Sequence, residues 1–169
     1  MKQLLLLRHA KSSWDEPGLA DLERPLARRG RRASELIAEH LRAQRIKPQL
    51  VLCSPSRRTR ETLERIGLDD SDQRIEDDLY AASAEELLGV LTGLADDIDS
   101  AMLIGHNPGI QDLALRLAGS SPEVTRLRRK FPTAALATLE FEGGWHELAP
   151  GSAELVAFVR PKDLKRDGT

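Results

Sequence analysis

The chain is punctuated by short apolar runs that stop abruptly at polar or charged residues. Leu4 to Leu7 are four aliphatic residues in a row, broken by Arg8 and His9. The run is short, lacks polar alternation and is soon followed by the loop-like Asp15-Glu16-Pro17-Gly18, so it predicts a strand buried on both faces. Gln49 to Cys53 and Ala101 to Ile104 repeat the signature. Between the first two runs, Ala33, Leu36, Ile37 and Leu41 fall at helical spacing within Arg28 to Gln44, with arginines and glutamates opposite. His40 borders that stripe and reads as structural. Ser54 as N-cap, with Pro55 at the first helical position, predicts a second helix. Its inner face holds Thr59, Thr62, Leu63 and Ile66, and Gly67 closes it.

Further along, Arg74 to Tyr80 carries a weak edge-strand signal. Ser83 and Glu86 form a capping box, opening a helix that turns Leu87, Leu88, Leu91 and Leu94 to the core. Another helix runs through Ile110, Leu113, Ala114 and Leu117 to Gly119, and a basic segment leads on to Lys130. Ala134 to Phe141 and Ala153 to Phe158 read as late strands around a hairpin-like Gly143-Gly144-Trp145, with Trp145 covering the sheet edge. Strands alternating with helices, without repeat or linker, predict one domain over residues 1–169, a three-layer α/β/α sandwich with a mostly parallel sheet.

Composition narrows the function classes. A chain of 169 residues buries roughly 70% of its unfolded surface without staples. The single cysteine, Cys53, excludes an internal disulfide and a clustered-thiolate metal site, and its apolar context makes it a small core residue. The N-terminal apolar run is too short for a signal peptide, and no stretch approaches the roughly 20 apolar residues of a membrane span. A cytoplasmic monomer without a membrane partner is expected. Net charge is −2, but five arginines fall between Arg24 and Arg32, and Arg126, Arg128, Arg129 and Lys130 form a second basic cluster. Few aromatics for base stacking and no overall positive charge argue against nucleic acid. A local positive field that attracts a phosphorylated substrate fits better.

The chemistry gathers at strand ends, where open α/β sheets place their ligands. Arg8 with His9, the turn Ser54 to Arg58, and His106 each follow a buried run, and a parallel sheet brings all three to one edge. Two arginines and two histidines without carboxylates or thiolates suit no metal cage, so neither metal nor cofactor is expected. Guanidinium forks match phosphate oxygens bidentately. A neutral imidazole can attack phosphorus and divide one displacement into two. His9 beside Arg8 fits that nucleophile, its second ring nitrogen tied to a backbone carbonyl. Arg8, Arg58 and a protonated His106 would hold the phosphate oxygens.

Leu7-Arg8-His9-Ala10, Ser54-Pro55-x-x-Arg58 followed by Thr62, and Gly105-His106 together resemble the histidine phosphatase superfamily, with its phosphoglycerate-mutase-like fold. Ala10 stands where the opening motif usually has glycine. The short length, Arg24-Pro25-Leu26 with Gly30, Leu79-Tyr80 and Lys130-Phe131-Pro132-Thr133 are similar to the SixA-type phosphohistidine phosphatases. The resemblance implies that His9 is the nucleophile, that Arg8, Arg58 and His106 form the phosphate pocket, and that Arg57 faces solvent. Arg24 is either a rim residue that recruits phosphate or the anchor of the long loop Lys11 to Leu26. Lys11, Ser12 and Ser13 lie close enough in sequence to touch substrate. Asp77, Asp78 and Glu85 are candidates for a leaving-group acid, none in a recognisable motif. The substrate implied is phosphohistidine in a protein. A small-molecule phosphomonoester and a non-catalytic phosphate-binding module are the alternatives.

Overall fold

The structure, a computed structural model, describes residues 1–165. Six strands form one sheet: β1 (Lys2–Arg8), β2 (Leu50–Cys53), β3 (Asp72–Ile75), β4 (Ser100–Gly105), β5 (Leu136–Phe141) and β6 (Glu154–Val159), in the order β3-β2-β4-β1-β5-β6. The pairings β1–β4, β2–β4 and β2–β3 are parallel, while β5 and β6 add antiparallel strands at one edge. This is the mixed, mostly parallel sheet of a phosphoglycerate-mutase-like α/β fold.

The unbroken apolar runs are explained by burial on both faces. Leu4, Leu6, Leu52 and Leu103 pack into one core layer, and Leu5, Leu7, Val51, Cys53, Met102 and Ile104 into the other. Burying one such aliphatic side chain contributes roughly 1.5–3 kcal/mol, so β1 anchors both layers. Helices α1 (Arg28–Ala43) and α2 (Arg57–Ile66) cover the second layer, with Ile37, Leu41, Leu63 and Ile66 inward. Helices α3 (Ala84–Thr92), α4 (Gly109–Leu117) and α5 (Pro122–Arg129) cover the first. A short α6 (Pro161–Leu164) follows β6 and contacts α1. The Ser83–Glu86 capping box is present as expected.

Three expectations need correction, and one segment left unassigned gains a helix. The second helix starts two residues later than expected, with Ser56 rather than Ser54 as N-cap, because the Ser54 hydroxyl is committed to His106. The edge strand is Asp72–Ile75, and Asp77–Leu79 is a 3-10 turn. The basic segment before Lys130 is itself helical, opened by Ser121 as N-cap and Pro122 in the first turn. Trp145 is fully buried against Phe141 instead of capping the edge, and its indole N–H donates to the Ile98 carbonyl at 2.8 Å.

Two close approaches fix the helices to segments at the carboxyl edge of the sheet. A Cβ on Gly30 of α1 would lie 2.1 Å from the Lys11 carbonyl oxygen, and one on Gly109 of α4 would lie 2.2 Å from that of Ala82. Only glycine allows either contact.

Candidate active site

Strand register builds the site. Arg8 is aligned with Gly105 across the β1–β4 pair, and Cys53 with Ile104 across β2–β4. The next residues, His9, His106 and Ser54, therefore emerge side by side at the carboxyl edge of the sheet. The rings of His9 and His106 lie 5.3 Å apart, centre to centre.

His9 is buried, and its Nδ1 lies 2.7 Å from the Ala10 carbonyl. A carbonyl can only accept, so Nδ1 carries the proton and Nε2 keeps its lone pair. Burial pushes the His9 pKa down to about 3, and the charges of Arg58 and Arg8 add to the fall. Desolvation, more than the neighbouring cations, thus keeps this imidazole neutral. Its backbone is held as well, because the Ala10 N–H donates to the Thr62 hydroxyl at 3.0 Å and that hydroxyl donates to the Arg58 carbonyl at 2.7 Å. Thr62 is thereby the link between the loop after β1 and the helix that carries Arg58.

His106 Nε2 lies 2.7 Å from the Ser54 hydroxyl, and its Nδ1 lies 3.4 Å from Arg58 Nη2. A guanidinium can only donate, so Nδ1 accepts and Nε2–H donates to Ser54. Burial, followed by the charge of Arg58, lowers the His106 pKa to about 4. That depressed pKa keeps the ring neutral at pH 7 in this arrangement, whereas the protonated form expected of His106 is the one that meets a phosphoryl group.

Arg8 Nη1 donates to the Phe131 carbonyl at 3.0 Å. Arg58 is buried in the first turn of α2 and donates to the Asp21 carbonyl at 2.8 Å and to Asp21 Oδ2 at 3.0 Å. Arg57 is half-exposed and pairs with Glu61, as expected of a solvent-facing residue. Arg24 is buried, donates to Asp21 Oδ1 at 3.0 Å and stacks 3.5 Å from the centre of the exposed Trp14 ring. Through Asp21 and Trp14 it anchors the loop. The Nε atoms of Arg8, Arg58 and Arg24, with Arg24 Nη1, are buried N–H donors without an acceptor among the described residues.

Asp21 was not anticipated. It lies in the long loop, in the 3-10 turn Asp21–Glu23, and gathers Arg58, Arg24 and the Tyr80 hydroxyl. The Tyr80 hydrogen bond and then Arg58 hold its pKa down at about 2. The sequence offered only two hints, the excess length of the loop and Arg24 three residues downstream. The loop is pinned by its ends: Ser12 bridges Leu26, the Ala27 N–H donates to the Lys11 carbonyl, and the Leu26 N–H donates to Glu61 Oε1 at 2.8 Å.

The other expected residues lie elsewhere. Asp77, Asp78 and Glu85 are exposed and make no hydrogen bond to the cluster among the described residues. Lys11 is exposed and lines a separate basic cavity that includes none of Arg8, His9, Arg58 and His106. Among the described residues, no group of three or more His, Cys, Asp or Glu side chains forms a metal-ligand set, and no helix is long and apolar enough to cross a membrane.

Comparison with known proteins agrees with this geometry. The family model of the histidine phosphatase superfamily (branch 1) matches residues 4–101. An uncharacterized protein of Mycobacterium tuberculosis is 37% identical over 160 residues, covering 92% of this chain and all of that one. Phosphohistidine phosphatase SixA of Escherichia coli is 28% identical over 155 residues, covering 83% and 86% of the two chains. A solved structure of the protein histidine phosphatase SixA complexed with tungstate superposes with a TM-score of 0.78 at 25% identity, covering 96% and 99%. With its fold, its strand-end cluster and these similarities in agreement, the chain belongs to branch 1 of the histidine phosphatase superfamily.

Proposed function

We propose that the protein is a phosphatase that works through a phosphohistidine intermediate on His9 and removes phosphate from phosphohistidine in a protein. The observation that carries this reading is the state of His9: neutral, Nδ1 tied to Ala10, Nε2 free, and flanked by Arg8, Arg58 and His106. Nε2 attacks phosphorus, forming a P–N bond while the bond from phosphorus to the leaving nitrogen breaks. Water then displaces His9, releasing phosphate and restoring the ring. Such transfers depend on in-line positioning and on neutralising the phosphoryl oxygens. Buried guanidinium donors supply that neutralisation, and an incoming phosphoryl dianion raises the pKa of His106, drawing a proton to it.

The carboxylate at the site supports that substrate class. Asp21, held near pKa 2, stays ionised at neutral pH and is no proton donor for an alkoxide. A phosphoramidate leaves as a nitrogen that is readily protonated and needs less help. Similarity to phosphohistidine phosphatase SixA of Escherichia coli supports the same reading.

The test is a substrate panel of phosphohistidine peptide, phosphoramidate, sugar phosphates and nucleotides, with brief labelling to trap acid-labile phosphate on the protein. Preferential turnover of phosphohistidine peptide is expected, with label lost in His9→Ala. By analogy with oxyanion donors, removing Arg58 costs on the order of 10² to 10³ in rate. A large preference for a monoester overturns the substrate, and full turnover by His9→Ala overturns the mechanism.

A further inference from the structure

Outside the catalytic cluster, the described residues enclose a cavity of about 610 Å³ where α1, the end of α5 and α6 meet. Nine of its fourteen lining residues are lysine or arginine and none is acidic. Lys11, Arg29, Arg32, Arg129, Lys130 and Lys162 come from well-separated parts of the chain, so the charge is not that of a single helix face. Arg126 and Arg160 are neutralised by Glu123 and Asp163, but no other lining cation forms an ion pair among the described residues. Converging like charges repel, and on a chain with net charge −2 this groove is a local excess.

The groove is joined to the active site through backbone. Lys11 stands two residues beyond His9. On the other wall, Lys130, Pro132 and Thr133 flank Phe131, whose carbonyl receives Arg8, and the Ala134 N–H donates to the carbonyls of Arg8 and His9 at 3.0 Å. The segments that wall the groove are thus continuous in chain with those that hold Arg8 and His9.

We infer that this groove docks an acidic segment of the phosphoprotein substrate, flanking the phosphorylated residue; the inference rests on the function proposed above. Charge complementarity selects an anion. The volume exceeds what a lone phosphate needs and falls in the range of pockets that enclose drug-sized ligands. Alanine, leucine and proline in the lining give apolar contact for carboxylate stems, and no lining residue is aromatic, which disfavours stacked nucleic-acid bases.

The experiment measures fluorescence anisotropy of a fluorescein-labelled octaglutamate peptide on the full chain, for wild type and for Arg32→Ser/Arg129→Ser. Both arginines are exposed and outside the catalytic cluster, and an unchanged melting curve verifies the fold. Binding is expected to weaken about tenfold in the double variant, since each exposed ion pair is worth up to about fivefold. It should weaken further from 50 to 300 mM salt, roughly as screening dictates. In turnover, the double variant should raise KM for an acidic phosphohistidine protein while leaving phosphoramidate turnover unchanged. Equal peptide binding by the two proteins overturns the proposal. So does binding of tripolyphosphate or single-stranded DNA without binding of the peptide, or wild-type self-association that the double substitution abolishes. Peptide binding that persists while no phosphohistidine is turned over supports the groove and refutes the function on which it was built.

Discussion

Replacing Thr62 by valine removes one hydroxyl from the centre of the catalytic scaffold with little change in volume. Thr62 is fully buried and its hydroxyl makes two bonds, accepting from the Ala10 N–H and donating to the Arg58 carbonyl. In Thr62→Val the buried Ala10 N–H loses its acceptor, which costs about 1–3 kcal/mol. For a domain of this size, each kcal/mol lowers Tm by roughly 2–4 °C, so a fall of about 2–12 °C is expected. Kinetics should respond too, because Ala10 supplies the carbonyl that fixes the His9 tautomer. A loss of orientation worth about 1.4 kcal/mol appears as roughly tenfold in kcat. Thermal melts by circular dichroism and steady-state turnover of phosphoramidate measure the two effects. Thr62→Ser keeps the hydroxyl and should recover most of both. If Thr62→Val melts within a degree of wild type with undiminished kcat, the link between α2 and the nucleophile is not what orients His9.

Acidification gives a second expectation. His9 titrates near 3 in the folded protein against about 6.5 when unfolded, so below pH 6.5 the unfolded chain binds a proton that the folded chain refuses. Stability contributed by neutral His9 is present above pH 6.5 and declines towards pH 3, by about 2 kcal/mol at pH 5. Urea unfolding at pH 7.5 and 5.0 should show that loss in wild type and a smaller one in His9→Ala; identical pH dependence would sink the argument. Two glycines, one crowded and one in open space, give a third. Gly30→Ala forces a methyl group into the Lys11 backbone and should cost about 1–3 kcal/mol, whereas Gly89→Ala in α3 meets nothing within 4 Å and should gain about 0.5–1 kcal/mol. Urea midpoints that shift in the same direction for both contradict the packing described.

Much of this fold was legible because burial on both faces of β1, β2 and β4 leaves continuous apolar runs that end where the chemistry begins. The cluster of Arg8, His9, Arg58 and His106 was legible for the same reason, since a parallel sheet sends all its strand ends to one edge. Misses arose where two local solutions were equally good. Ser54 and Ser56 are both competent N-caps, and only the position of His106 decides which hydroxyl is free. Ser121-Pro122 with Val124 and Leu127 carried a helix-start signal, masked by the dense positive charge after it. Trp145 follows two glycines as a surface aromatic would, and only the packing of α3 and β5 shows the hole it fills. Asp21 belongs to no periodic pattern. Its partners Arg58 and Tyr80 lie far along the chain, so its place in the site is a tertiary fact.

The register that aligns Arg8 with Gly105 also bears on when the protein can become active during folding. His9 and His106 are separated by about 100 residues of chain, and bringing such distant segments together requires a loop-closure entropy that local contacts do not offset. The helices flanking β1 and β2 can form early, but the paired imidazoles exist only once β4 has inserted between those strands. Contacts of such long sequence separation form slowly. Regain of turnover after dilution from denaturant is therefore a readout of β4 insertion, and should lag behind the return of helical signal.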